Sequence, residues 1–239
     1  MFNFFKKPKI EFYPIIPQLL ETHPPDNGMK DLTSIFKKLM PTRINPELSY
    51  STKVTAKNCP AVIEYCKYGY VFRAWQDILI KTTADGESYE WSTPTNTNVF
   101  LSNHFQQNTN FNREVSHFLK DSAYPHFHKQ GSLKYLLQIP TRWCIKLPKD
   151  YGALFLPVWY DNEQRFSVVP GLLPADTTEE INVVIQWHKL GCEEIIKAGT
   201  PLVRIIPFKM EKDNAVIRDA TARDAYVFRK FNLLKGNHW

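Results

Sequence analysis

The chain has 239 residues, 43% of them hydrophobic and 14% aromatic, ample for a packed core and incompatible with wholesale disorder. Its formal net charge of +6 sits at the ends: nine Lys/Arg against five Asp/Glu in residues 1–60, seven against four in 209–239, and 14 against 15 between them. A near-neutral body with basic ends points to an anionic partner or an assembly contact, and away from a dedicated nucleic-acid binder with its dense basic stripe.

No apolar run reaches the roughly 20 residues needed to span a bilayer, so no membrane contact is expected. The N-terminus, with Lys6, Lys7 and Lys9 among its apolar residues and Pro8, Pro14 and Pro17 interrupting them, lacks the order of a secretory signal. The expected product is soluble and intracellular. Cys59, Cys66, Cys144 and Cys192 form no CxxC pair, which reads as reduced, mostly buried thiols and not as a zinc site or a disulfide framework.

Residues 1–59 form a Pro-rich arm; eight of the 17 prolines fall within the first 60 residues. Proline removes ladder donors and blocks helix interiors, so the arm is expected to hold one short strand (10–16) and one helix (31–39) at most. Its aromatics are too many for a free linker, and it is expected to lie over the body or a neighbouring subunit. Pro60 at a first helical position predicts a helix through Lys67 ended by Gly69. YVFRAW, DILIKTT, SYEWST and NVFLSNHF follow as strand candidates, with a turn over 93–98. Residues 112–122 are expected to make one or two helical turns, and 124–132 to be irregular. LKYLLQIPTRWCIKLP resumes β character, with Pro140 and Pro148 expected to mark strand ends.

Tyr151 to Phe208 is the firmest stretch. Its apolar runs YGALFLPVWY, FSVVPGLLPAD, EINVVIQW and EEIIKAGTPLVRIIPF are separated by turn chemistry at Asp161-Asn162, Pro174-Ala175-Asp176, Leu190-Gly191 and Ala198-Gly199. Beyond Phe208 a basic helix is predicted, capped by Asp213 or Asn214 and ending near Gly236.

Val169-Pro170-Gly171-Leu172-Leu173-Pro174-Ala175-Asp176, followed by Glu180-Ile181-Asn182-Val183, resembles the central motif of the dUTPase and dCTP-deaminase superfamily. Ile196-Lys197-Ala198-Gly199-Thr200-Pro201-Leu202-Val203-Arg204-Ile205-Ile206-Pro207 is similar to that family's later strand–turn–strand. A second pattern, Trp143 to Phe155 with Cys59-Pro60, Gly69-Tyr70 and Trp75 to Ile78, resembles a tailed-bacteriophage protein family without an established activity. The first resemblance implies a mainly β, dUTPase-like β-clip barrel over residues 60–208, between the arm and the C-terminal helix of 209–239. It also implies a homo-oligomer, with a trimer as the form common in such folds. The second implies a phage protein in the host cytoplasm or associated with the virion, with a phage or host protein as a further partner.

Departures from the enzyme pattern bear on activity. In dUTPases the first Asp of the central motif activates the attacking water and an aromatic supports the base or sugar; the matching positions here are Pro174 and Thr177. Proline has no proton-accepting side chain. The family's Mg-binding and phosphate-loop motifs have no counterpart. Asp176, Glu180 and Arg204 remain candidate ligand-binding residues. His126 and His128 could share one side of an extended segment as metal ligands, but the carboxylate such a site needs does not follow them. Tyr70, Phe72, Arg73, Trp75, Arg142, Trp143 and Lys146 mix aromatics with cations as a stacking platform for single-stranded nucleic acid would; strand alternation favours a core instead. No catalytic residue and no cofactor is expected. The reading is a non-enzymatic binding or assembly module, against the alternative of a nucleotide-binding or nucleotide-processing enzyme with relocated catalytic groups.

Overall fold

The structure, a computed structural model, describes residues 9–28, 60–95, 115–120, 129–159, 163–211, 217–224 and 226. In chain order these give β1 (Glu11–Pro14), α1 (Leu19–Thr22), α2 (Pro60–Lys67), β2 (Tyr70–Arg73), β3 (Ile78–Thr82), β4 (Tyr89–Ser92) and β5 (Ser116–Lys120). There follow β6 (Tyr135–Lys146), β7 (Tyr151–Leu156), β8 (Phe166–Val168), β9 (Gly171–Leu173), β10 (Thr178–Trp187), β11 (Glu193–Ile196) and β12 (Pro201–Lys209). The expected mainly β architecture is present. Its strands pair antiparallel in three sheets, and the described ladders do not close into a barrel. One sheet runs β1-β6-β10-β8 with β5 also on β6, another β11-β3-β4, and the third β2-β12-β7-β9.

Alternation along these strands sends one apolar set into a shared core. Phe72, Ile80, Ile139, Trp143, Val183, Trp187 and Val203 are all buried there. At roughly 1.5–3 kcal/mol per buried large side chain, this core supplies most of the folding drive. The described part of the arm joins it: β1 pairs with β6, Phe12 lies 4.8 Å from the Tyr70 ring and 5.3 Å from that of Phe72, and Ile16 and Leu19 are buried. Phe72 and Trp143, weighed above as a stacking platform, are core residues.

Three expectations are corrected. Residues 116–120 form a strand, since SHFLK gains antiparallel pairing with β6, bulged between His117 and Leu119, that an isolated helical turn would lack. Pro140 does not end a strand: β6 passes through it, and the ladder shifts register just beyond. Proline's missing N–H is tolerated where the ladder is already broken. At the C-terminus, residues 217–220 are exposed coil and helical backbone begins at Ala222. Thr221 is the cap there, because its hydroxyl accepts from the Asp224 N–H at 3.3 Å while the Asp224 carboxylate accepts from the Thr221 N–H at 2.8 Å. That reciprocal pair is a capping box, and the predicted caps Asp213 and Asn214 lie outside the described residues. The helix expected at 31–39 and the strand candidate beginning at Asn98 lie outside the described residues.

Candidate functional site

The ladder between β6 and β10 contains a bulge that organises its surroundings. Glu180 is opposite Cys144 and Asn182 is opposite Pro140, so three residues of β6 face one of β10. Thr141 fills the gap by donating its hydroxyl to the Ile181 carbonyl at 3.0 Å and accepting from the Trp143 N–H at 3.3 Å. Arg142 takes the left-handed conformation with φ of 64°, which costs a side-chain-bearing residue about 1–2 kcal/mol. Its carbonyl accepts from the Ile15 N–H at 2.8 Å, tying the arm to the bulge. Its guanidinium turns inward, is 0% exposed, and donates to Glu180 Oε1 at 3.0 Å; the Glu180 side chain is 11% exposed. Burial, with Glu180 nearby, also pushes the neighbouring Cys144 thiol up from its ordinary pKa.

Beside this pair lies a cavity of about 400 Å³ between the β8–β10 side of one sheet and the β7–β9 side of another. Phe155, Val168, Pro170, Leu172 and Leu173 give it apolar walls; Gln138, Glu179, Glu180 and Asn182 supply its polar groups. Asn182 donates its amide to the Glu180 carbonyl at 3.2 Å. Its side-chain Oδ1 is shielded from solvent and has no hydrogen-bond partner among the described residues. A volume of this size with a few fixed polar groups suits a small ring-bearing molecule, and the orphan oxygen calls for a donor.

The residues singled out in the sequence fall in different places. Asp176 is exposed in the turn before β10, with φ of 59°. Pro174 and Thr177 close that turn on each other, the Thr177 hydroxyl donating to the Pro174 carbonyl at 2.7 Å. Glu180 lines the cavity, but its carboxylate is engaged by Arg142. Arg204 is buried on β12, away from the cavity lining. Its guanidinium donates to the carbonyls of Tyr65, Tyr68 and Asn27 at 3.3, 2.8 and 3.0 Å and lies 4.7 Å from the Tyr65 ring centroid. It thereby caps the last turn of α2, where a cation suits the helix dipole, and holds the arm down. His126 and His128 lie outside the described residues. Among those described, no three His, Cys, Asp or Glu side chains cluster as metal ligands, and no helix is long and apolar enough to cross a membrane.

Sequence reasoning missed Asn182, Gln138 and the partnership of Arg142 with Glu180. The one available signal was an arginine in the middle of an otherwise apolar strand run, which needs a buried counter-charge.

No protein-family model matches the chain, and neither does any curated protein. Among solved structures it is similar to dUTPases, at low identity. A mutant dUTPase from phage phi11 of S. aureus aligns over 90% of this chain and 99% of its own, with 8% identity and a TM-score of 0.36. A mutant dUTPase of Staphylococcus bacteriophage 80alpha aligns over 90% of each chain, with 7% identity and a TM-score of 0.38. The native EIAV dUTPase aligns over 64% of this chain and 83% of its own, with 12% identity and a TM-score of 0.33. Superpositions this loose carry no argument about chemistry.

Proposed function

We propose that this chain is a binding or assembly module built on a dUTPase-like β core, and not a nucleotide hydrolase. One observation supports this above the others. Pro174 and Thr177, the positions matching the enzyme's water-activating carboxylate and supporting aromatic, are spent on closing a turn through their own hydrogen bond. Two of the three charged candidates support the same reading, since Glu180 neutralises Arg142 and Arg204 is taken up by three carbonyls. The partners of such a module are further copies of the chain and a phage or host protein. Light scattering tests the assembly role: residues 58–239 should give a smaller particle than the full chain, and an unchanged mass would remove the arm from any contact.

A second reading has its own support in the cavity and the unpartnered Asn182 Oδ1. On it the module holds a nucleoside-sized ligand without turning it over. A thermal-shift panel of deoxynucleosides and deoxynucleotides separates the two readings. At a concentration of about 100 Kd a ligand stabilises by about 2.7 kcal/mol, which in a chain of this length raises Tm by roughly 5–11 °C. Asn182→Leu should abolish the rise. A panel without any rise leaves the assembly reading standing alone.

A further inference from the structure

A second constellation lies on the other face of β8. Val168 borders the cavity, so its neighbour Ser167 points to the opposite side of the strand. There Ser167 Oγ lies 2.5 Å from His188 Nε2, and Ser132 Oγ lies 2.9 Å from His188 Nδ1. Three separate segments converge here: β8, the residue after β10, and the loop before β6. The loop is fixed by the Leu133 N–H donating to the Trp187 carbonyl at 2.9 Å, and His188 by its own N–H donating to the Arg165 carbonyl at 2.7 Å. Ser132 is buried, while Ser167 and His188 are half-buried and reachable from solvent.

We infer that Ser167, His188 and Ser132 form a serine nucleophile, its general base and a positioning hydroxyl, able to cleave carboxylic esters. A neutral imidazole has one donor and one acceptor nitrogen. With Nδ1–H donating to Ser132 Oγ, Nε2 is left to accept from the Ser167 hydroxyl, the tautomer that nucleophilic activation requires. Burial, with the charge of Lys129 adding to it, holds His188 below its ordinary pKa, which keeps the ring unprotonated and able to act as a base near neutrality.

A donor for the developing oxyanion is also placed. The Val169 N–H donates to the Val184 carbonyl and the His188 N–H to the Arg165 carbonyl, so odd-numbered residues of this strand bond to β10. The N–H of Val168 therefore points away from β10, towards the open edge of its sheet, one residue beyond the nucleophile.

The chemistry closes as follows. Ser167 Oγ bonds to the acyl carbon as its proton passes to His188 Nε2. The ester C–O bond breaks and the departing alkoxide takes that proton. Water then adds to the acyl carbon by the same route, releasing the carboxylic acid and restoring Ser167.

The test is covalent labelling of the full chain with a fluorophosphonate, located by peptide mass spectrometry, beside hydrolysis of p-nitrophenyl acetate. The expected adduct is on Ser167, and Ser167→Ala removes it. His188→Gln should slow labelling about 100-fold or more, the scale of a lost general base. Ser132→Ala should slow it less, and Ser132→Thr, which restores a hydroxyl, should recover it; a purely structural Ser132 would leave the labelling rate unmoved. Because wild-type mapping needs no variant, misfolding of His188→Gln does not blunt the test. No adduct on Ser167, or an adduct formed as fast in folded His188→Gln, overturns the inference.

Discussion

Removing the Glu180 carboxylate is the sharpest perturbation available to the bulge. Its Oε1 lies 3.0 Å from Arg142 Nη1, and the Arg142 side chain is 0% exposed. Glu180→Ala takes the carboxylate away from this buried guanidinium, and breaking a buried pair from one side costs about 3–5 kcal/mol. Glu180 is 11% exposed, so some water reaches the vacated space and the lower end, about 3 kcal/mol, applies. With a urea slope of about 3 kcal/mol/M for a chain of this size, the unfolding midpoint should fall by about 1 M. Arg142→Met should cost no more than about 3 kcal/mol, because the carboxylate it leaves behind is the more exposed partner. The double variant Arg142→Met/Glu180→Met needs no desolvated charge at all and should lie within about 1.5 kcal/mol of wild type. With Glu180→Met as the matching single variant, the double-mutant cycle should show coupling above about 2 kcal/mol. Additive costs, or a Glu180→Ala midpoint shift below about 0.3 M, would refute the view that this pair holds the bulge.

Other outcomes follow from the same geometry. Arg204→Met deletes three part-buried hydrogen bonds to backbone carbonyls; it should cost about 3 kcal/mol and speed amide exchange at Val71, whose N–H bonds to the Asp26 carbonyl. Gly69→Ala should destabilise by more than about 2 kcal/mol, since φ is 81° and the new Cβ would sit 2.6 Å from the Ile205 carbonyl oxygen. Gly171→Ala, whose Cβ meets open space, should change the denaturation midpoint little. Burial lowers the pKa of His188 from 6.5 in the fold, so the unfolded chain takes up the proton first on acidification. Its contribution is therefore complete above pH 6.5 and is lost as pH falls through that value towards the folded pKa. His188→Gln should flatten this part of a stability–pH profile, leaving the share due to His23, whose pKa burial and then Arg73 lower in the same direction.

Local chemistry made the strands legible, and non-local chemistry hid the sites. Val, Ile and aromatic alternation with intervening turn residues predicted β7 to β12, and Pro60 with Gly69 bracketed α2 closely. Arg204 looked like a ligand-binding cation because sequence cannot say which strand face a helix terminus will cover; here α2 covers it. Pro140 looked like a stop because the bulge that accommodates it depends on Ile181, far along the chain. The Ser132, His188 and Ser167 grouping has no spacing signature at all, since a loop, a strand and the residue after another strand bring it together. Asn182 drew no notice within a strand of ordinary alternation, and only the emptiness beside its Oδ1 distinguishes it.

The arginine on β12 also bears on the order in which the fold can form. Arg204 lies 177 residues from Asn27, 139 from Tyr65 and 136 from Tyr68, and it bonds to all three. During synthesis the arm and α2 leave the ribosome long before the strand that secures them. Until β12 pairs with β2, the first docked segments have no lock, and closing so long a loop is slow. Partly made chains therefore pass through a stage in which Phe12, Ile16 and Leu19 lack their final cover. That interval is when a chaperone, or a second nascent copy, has access to the arm.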